Sequence, residues 1–108
     1  MVKLALFVRL EAKSGQSEAL RKFLESGLEL ANAETKTPLW FALRFGPTTF
    51  AIFDAFTDED GREAHLTGSI AAALMARADE LLAQPPRIEK VDVLVFRHKH
   101  LNPSLARI

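Results

Sequence analysis

The sequence predicts a single α+β domain of the ferredoxin-like type, with the order β-α-β-β-α-β, an antiparallel sheet and both helices on one side. Four segments alternate with the period of two that is typical of strands, and two carry apolar residues at helical spacing. A short Gly-Pro connection joins the two middle strands. The chain has 108 residues, the length of one ordinary domain. We expect this domain over residues 1 to 98, followed by a tail over 99 to 108.

The first strand and helix follow directly from the apolar spacing. Residues 2 to 11 form the strand, because every second residue is Val or Leu. After a glycine turn, Ser14 or Ser17 is expected to cap the first helix. This helix covers residues 18 to 33, where Leu, Phe and Ala recur on one side. Pro38 separates it from the next strand, because the residue before a proline avoids helical angles.

The second and third strands form a hairpin. Residues 39 to 45 alternate apolar side chains with Trp, Ala and Arg, and residues 49 to 56 are rich in Phe and Ala. In the third strand Asp54 shares a face with Phe56, whereas Phe53 points to the other face. The third strand is therefore apolar on both faces, with one carboxylate placed near its end.

A second helix starts at an acidic turn, where Thr57 or Asp58 is expected to cap it and acidic side chains suit the positive helix end. A Thr-Gly-Ser sequence interrupts it, and Ser69 is expected to cap a new segment that covers residues 70 to 83. Two prolines terminate this segment. Residues 87 to 98 alternate as the last strand.

Composition excludes several classes of function. The 14 basic and 14 acidic residues cancel, so the chain lacks the basic surplus that nucleic-acid binding requires. The absence of cysteine excludes disulfides, thiolate catalysis and Cys-type metal sites. No apolar run approaches the length of a membrane span, and the N-terminal run is too short for a signal peptide. We therefore expect a cytoplasmic protein with no nucleic-acid or membrane partner.

The bare face of the predicted sheet indicates a homodimer. Helices on one side leave the other face uncovered, and that face carries enough Phe, Val and Leu to form a large apolar patch. Covering a few hundred Å² contributes several kcal/mol at about 25 cal/mol per Å². Two such sheets packed face to face satisfy this requirement, and the tail over residues 99 to 108 is placed to cross to the partner.

Two stretches carry a family resemblance. The runs VRLEAKSGQSEALRKFLESG and FDAFTDEDGREAHLTG, in this order around the hairpin and followed by an Ala/Leu helix and a Pro-Pro break, resemble the antibiotic biosynthesis monooxygenase domain over residues 2 to 98. The resemblance implies a dimeric α+β barrel with a pocket in each subunit between sheet and helices. It also implies oxidation of a small aromatic, polyketide or quinol-type substrate by molecular oxygen, without metal or flavin.

The resemblance disfavours haem as a cofactor. A haem-degrading branch of the superfamily uses an Asn on the first strand and a Trp and a His on the second helix. The matching positions here are Val8, His65 and Met75, which depart from that pattern. Phe56 stands where Trp is common in the family, so the volume is kept and the indole N–H donor is lost. We expect no cofactor, with molecular oxygen as co-substrate.

His65 is the candidate catalytic residue. An imidazole with a near-neutral pKa can accept a phenolic proton and leave an electron-rich phenolate that reduces oxygen. In the alternative interpretation His65 stabilises its helix or bonds a neighbouring carboxylate. Asp54 requires a partner in its apolar strand, and Arg44 on the hairpin is the expected one. This pair is either a polar anchor for substrate or a structural ion pair.

Aromatic side chains are the candidate walls of a substrate pocket. Trp40, Phe53 and Phe56 are expected to shape it, with plain core or dimer packing as the alternative. His98 and His100 have no third ligand nearby in sequence, so a metal site is disfavoured. Two other functions remain open, namely ligand binding without catalysis and an isomerase or cyclase reaction in which His65 moves protons.

Overall fold

The structure is a computed structural model that describes residues 1 to 97. It confirms the predicted β-α-β-β-α-β order, with the second helix divided in two. The predictions for the tail over residues 99 to 108 and for His98 and His100 concern residues outside the described range. The elements are β1 (Leu4–Glu11), α1 (Ser17–Ala33), β2 (Leu39–Arg44), β3 (Thr49–Phe56), α2 (Glu59–Leu66), α3 (Ser69–Leu81) and β4 (Arg87–Asp92).

The four strands form one antiparallel sheet in the order β2-β3-β1-β4. Asp54 of β3 lies between Leu6 of β1 and Trp40 of β2 in the register. Because side chains alternate across a strand, these three side chains share one face of the sheet. The helices cover this same face, so the carboxylate of Asp54 lies beneath them.

The main core lies between this face and the helices. Leucines of α1 and α3 pack on the inward side chains of β1 and β3, which are aliphatic or Phe. The residues fully or almost fully buried there include Leu10, Leu20, Phe50, Ile52 and Leu81. The predicted apolar stripes of strands and helices therefore meet as one core.

On the opposite face of the sheet, none of the helices within residues 1 to 97 packs. Its centre is lined by the small residues Ala5 and Ala55, which are buried. Towards β2 the large side chains of Phe41, Leu43 and Phe45 are exposed. This apolar patch is the uncovered surface that the strand pattern predicts.

The helix caps agree only in part with the sequence predictions. Asp58 caps α2 as expected, and its Oδ1 accepts a hydrogen bond of 2.8 Å from the backbone N–H of Gly61. The prediction for α1 was wrong. The N-cap is Gln16, which makes no side-chain cap bond; Ser17 is the first helical residue and Ser14 lies in the preceding turn.

The break between α2 and α3 is present, but Ser69 does not cap α3. Gly68 holds the N-cap position and Ser69 is the first residue of the helix. A Cβ atom on Gly68 would lie 3.0 Å from the carbonyl oxygen of Ala64 and 3.2 Å from Oε2 of Glu34. The close approach of these groups explains why glycine occupies the break.

Strand β4 ends at Asp92, short of the predicted residue 98, although the apolar alternation continues. Asp92 pairs with Leu4, and the backbone N–H of Val93 still bonds the carbonyl of Lys3. Beyond this point β1 has no residues left to pair, because β1 starts at Leu4 and not at residue 2. Leu94 is therefore 90% exposed. None of the described helices is long and apolar enough to cross a bilayer.

Candidate functional site

The site is built around His65, which α2 directs towards the sheet. Its side chain is only 7% exposed and lies between two carboxylates. Nδ1 lies 2.6 Å from Oε1 of Glu34, and Nε2 lies 2.7 Å from Oδ2 of Asp54. The ring centroid of Phe56 lies 5.4 Å from the imidazole. One imidazole thus connects β3, α2 and the loop that follows α1.

Asp54 is the inner carboxylate of this triad. Its side chain is completely buried, and neither of its oxygens has a hydrogen bond of acceptable geometry. The contact with Nε2 of His65 is therefore an ion pair by distance and not an aligned hydrogen bond. Burial raises the pKa of Asp54, and the neighbouring His65 opposes this rise. An unpartnered buried oxygen of this kind is costly to the fold.

Glu34 is the outer carboxylate, and sequence reasoning missed it. It follows the last residue of α1, where the hydroxyl of Thr37 donates a 2.9 Å hydrogen bond to Oε1. Its other oxygen, Oε2, is buried without a partner near Gly68, at the positive end of α3. The sequence contains no local signal for this role, because Glu34 and His65 meet only through the fold.

The two carboxylates determine the charge of His65. Burial alone lowers the pKa of an imidazole, but the contacts with Asp54 and Glu34 outweigh it and raise the pKa of His65 to about 8. At neutral pH the ring is therefore mostly an imidazolium, with its Nδ1–H bonded to Glu34 and its Nε2 close to Asp54. The interpretation in which His65 bonds neighbouring carboxylates agrees with this geometry.

The raised pKa predicts how stability depends on pH. The stabilisation is fully present below the unfolded value of 6.5 and is lost as pH rises through about 8. We expect the free energy of unfolding to fall by about 2 kcal/mol over this window. Urea unfolding at fixed protein concentration, at about pH 6 and about pH 9, measures it. The isosteric variant His65→Gln should lose this dependence; if it keeps the full drop, the assignment is wrong.

An apolar cavity of about 100 Å³ adjoins His65. Leu6, Val8 and Ile52 of the sheet form one wall, and residues of α2 and α3 form the other, including Leu66 and Met75. His65 is the one titratable residue in the lining. The resemblance implied a pocket between sheet and helices, and this cavity lies there.

A second pocket, of about 250 Å³, lies on the other side of His65. Its lining carries the polar side chains of Glu34, Lys36, Thr37 and Ser69, and we call it the polar pocket. His65 is the one residue that lines both this polar pocket and the apolar cavity. The imidazole therefore lies between an apolar cavity and a pocket that carries charged and hydroxyl side chains.

Arg44 does not belong to the site, and the predicted pair with Asp54 was wrong. In the hairpin register Trp40 is opposite Asp54, whereas Arg44 is opposite Phe50. Four residues of strand separate the two positions, about 13 Å. The guanidinium instead donates to the carbonyl oxygens of Gly46 and Pro47 and stacks over Phe50.

The three aromatic residues that were predicted to form one pocket wall lie in three different places. Phe56 contacts His65 from the core. Phe53 lies on the helix-free face beside Phe41, so its assignment to this pocket was wrong; alternation along β3 places it opposite to Asp54. Trp40 borders a separate void of about 20 Å³ against Gly27 of α1, with its Nε1 buried and unpartnered. None of the three lines the cavity beside His65.

A larger surface groove lies elsewhere, between α3 and the Pro-Pro segment, with a volume of about 560 Å³. Its charged lining residues are Lys13 and Asp79, and Lys13 already bonds the backbone of Asp79. Within residues 1 to 97, no group of three or more His, Cys, Asp or Glu residues is arranged to hold a metal ion. The triad at His65 is therefore the stronger candidate site.

The fold is shared with proteins of known structure. A protein from Nitrosomonas europaea named "putative antibiotic biosynthesis monooxygenase" superposes with a TM-score of 0.75 at 17% identity, over 85% of this chain and 90% of that one. A protein of the same name from Caulobacter crescentus gives 0.73 at 14%, over 87% and 92%. The chain thus has the fold of antibiotic biosynthesis monooxygenases, as the resemblance implied.

Another protein of known structure has a much higher sequence identity to this chain and shows the family to which the chain belongs. NE2512 of Nitrosomonas europaea, a protein of unknown function, is 64% identical, with 93% of this chain and 97% of that chain covered and a TM-score of 0.90. The chain belongs to the same family as NE2512. No family model and no curated protein matches the sequence.

Proposed function

We propose that this protein is a cofactor-independent monooxygenase for a small phenolic or quinol-type substrate, which binds in the apolar cavity beside His65. The observation that carries the proposal is an apolar compartment with a single titratable group in its lining, backed by two carboxylates. Such a compartment binds a flat ring and presents one proton-transferring group to it. The shared fold with proteins named as putative antibiotic biosynthesis monooxygenases supports the same conclusion.

The proposed reaction starts with proton transfer. Because Nδ1 faces Glu34 and Nε2 faces Asp54, the step requires the ring to turn Nε2 from Asp54 towards the cavity when substrate binds. The neutral form of His65 then accepts the phenolic proton at Nε2, and the phenolate, which is a stronger reductant than the phenol, reacts with molecular oxygen. For a hydroquinone, one oxygen atom enters a ring carbon and the other leaves as water with two substrate hydrogens, which yields the hydroxyquinone. The imidazolium then stabilises the remaining anionic charge in the apolar cavity.

The cavity size restricts the substrate. An apolar cavity of about 150 Å³ binds benzene, so the 100 Å³ beside His65 must widen, by a movement of α3, to hold even a single ring. We therefore favour single-ring quinols over polycyclic polyketides. The break at Gly68, between α2 and α3, is the place where the cavity would widen.

Oxygen uptake with a panel of single-ring hydroquinones tests the proposal. We expect enzyme-dependent uptake and one atom of isotope-labelled oxygen in the product. The rate should rise with pH through about 8, because the neutral form of His65 is the base. Binding of the quinols without oxygen uptake would refute the proposal. Proton exchange at a substrate carbon under strict anaerobiosis would favour the isomerase alternative, which the same imidazole and carboxylates would serve.

We also propose that the protein is a homodimer joined through the helix-free face of the sheet. Phe41, Leu43 and Phe45 are exposed on this face and lie next to one another along β2 and its end. Leaving these side chains in water costs about 25 cal/mol per Å² of apolar surface. A second copy presents the same patch, so a two-fold axis covers both.

Light scattering tests the dimer. We expect twice the chain mass of 12.0 kDa at micromolar concentration. The variant Phe41→Arg should shift the mass towards the monomer, because it places an unpaired charge in the interface. The matched control is Leu28→Arg, which changes an exposed leucine on α1 and should leave the dimer intact. A wild-type monomer at this concentration contradicts the proposal.

A further inference from the structure

We propose that Glu34 is the outer end of a proton path that runs from Asp54 through His65 to the polar pocket. In this path Glu34 exchanges the proton on Nδ1 of His65 with solvent. The role of the path is to remove the substrate proton from the apolar cavity, and this role rests on the proposed function. The path itself is a property of the triad and is measurable without a substrate.

The inference starts from the linear arrangement of the triad. Asp54 is completely buried, His65 is 7% exposed and the side chain of Glu34 is 16% exposed. The contacts of 2.7 Å and 2.6 Å on the two sides of the ring are both within proton-transfer distance. Access to solvent therefore increases in order along the three groups, and Glu34 is the most exposed of them.

The linings of the apolar cavity and the polar pocket determine the direction in which a proton moves along the triad. All other residues that line the apolar cavity are aliphatic or Met, so within that lining His65 has no strong proton acceptor. On the other side, Glu34 lines the polar pocket with Lys36 and Thr37. A proton on Nδ1 therefore has one acceptor within reach, Oε1 of Glu34, and leaves from there to water.

Thr37 and Gly68 hold Glu34 in place for this transfer. The hydroxyl of Thr37 donates to the same Oε1 atom that faces Nδ1 of His65. Gly68 leaves room for the second oxygen, since a Cβ there would lie only 3.2 Å from Oε2. The Thr37 contact fixes the rotamer of the carboxylate, as expected of a group that must meet the ring at one geometry.

The sequence of transfers conserves protons at each step. In the neutral ring with its proton on Nδ1, a proton that arrives at Nε2 is matched by release of the Nδ1 proton to Glu34, so the imidazole stays neutral and changes only its tautomer. Glu34 then releases the proton to water in the polar pocket. No oxidant, metal or additional reactant takes part.

The test is the exchange rate of the His65 ring N–H protons with water, measured by NMR on the full chain below the pKa of the ring. Glu34→Gln preserves shape and can still accept the Nδ1 hydrogen bond, but it does not carry the proton. We expect exchange to slow by about tenfold or more. The matched control, Glu29→Gln on the exposed side of α1, should exchange at the wild-type rate.

A second variant keeps the proposal falsifiable if Glu34→Gln folds poorly. Glu34→Ala should also slow the exchange, and added formate should restore it by entering the polar pocket. Exchange at the wild-type rate in Glu34→Gln, or slow exchange in Glu34→Ala that formate leaves unchanged, overturns the path. These results do not depend on oxygen uptake, so the path and the proposed monooxygenase activity fail separately.

Where oxygen uptake is present, kinetics give an additional readout. Glu34 does not line the apolar cavity, so Glu34→Gln should lower kcat and leave KM for the quinol unchanged. It should also shift the pH profile to lower pH, because one of the two carboxylates that raise the pKa of His65 is lost. If KM rises and kcat is unchanged, Glu34 instead belongs to substrate binding, and this result would contradict the path.

Discussion

Replacing His65 with Gln is expected to lower kcat for oxygen uptake by about 10²- to 10⁴-fold, the usual contribution of a positioned general base. The reason is that His65 is the one titratable side chain in the lining of the apolar cavity, so no neighbour can replace it. Gln has nearly the same volume and can still bond one carboxylate, which separates lost chemistry from lost folding. Initial rates with a single-ring hydroquinone measure the effect.

The control for this prediction is Glu63→Gln, an exposed change on the same helix, which should keep the wild-type rate. Circular dichroism at the assay temperature verifies that His65→Gln is folded. A folded His65→Gln protein with wild-type turnover would remove His65 from the mechanism. The triad would then be a structural element.

Replacing Asp54 with Ala is expected to reduce the free energy of unfolding by about 3–5 kcal/mol, which is typical when one partner of a buried ion pair is removed. Asp54 is completely buried, and its loss leaves the imidazolium of His65 with one carboxylate instead of two. Urea unfolding at neutral pH and fixed protein concentration measures the change. Asp79→Ala, an exposed change on α3, should stay within about 0.5 kcal/mol of wild type.

A double variant distinguishes the pair from simple packing. Asp54→Leu combined with His65→Leu removes the two most deeply buried groups of the triad and fills the same space with apolar atoms, whereas Glu34, 16% exposed, keeps its bond from Thr37. Since apolar replacements of buried ion pairs are often neutral or stabilising, we expect most of the lost stability to return. If the double variant is less stable than Asp54→Ala, the cost lies in packing, and the ion pair is not its cause.

The strand and helix pattern was sufficient to predict the architecture. Alternation over residues 2 to 11 and 49 to 56 identified β1 and β3, and the glycine break before Ser69 identified the division of the second helix. These signals are local, because they depend on which side of an element each residue occupies. The ends of elements were less predictable. The end of β4 depends on how far its neighbour β1 extends, and no pattern within β4 records that length.

The candidate site was predictable only in part, for the same physical reason. His65 and Asp54 were identified because a titratable residue in an apolar setting is visible in the sequence itself. Their mutual contact was not predicted, and Arg44 was assigned to Asp54 because both lie on the hairpin. The register of β2 against β3 excludes that pair, and Asp54 instead contacts His65 of α2.

By itself the sequence determined the order of the elements, the covered and uncovered faces of the sheet, and the residues with titratable chemistry. Only the tertiary structure decided that Glu34, 31 positions from His65 along the chain, completes the triad. It also decided that Trp40 and Phe53 lie outside the cavity. Local periodicity reports which side of an element a residue occupies, whereas contacts between distant residues depend on how the elements pack on one another.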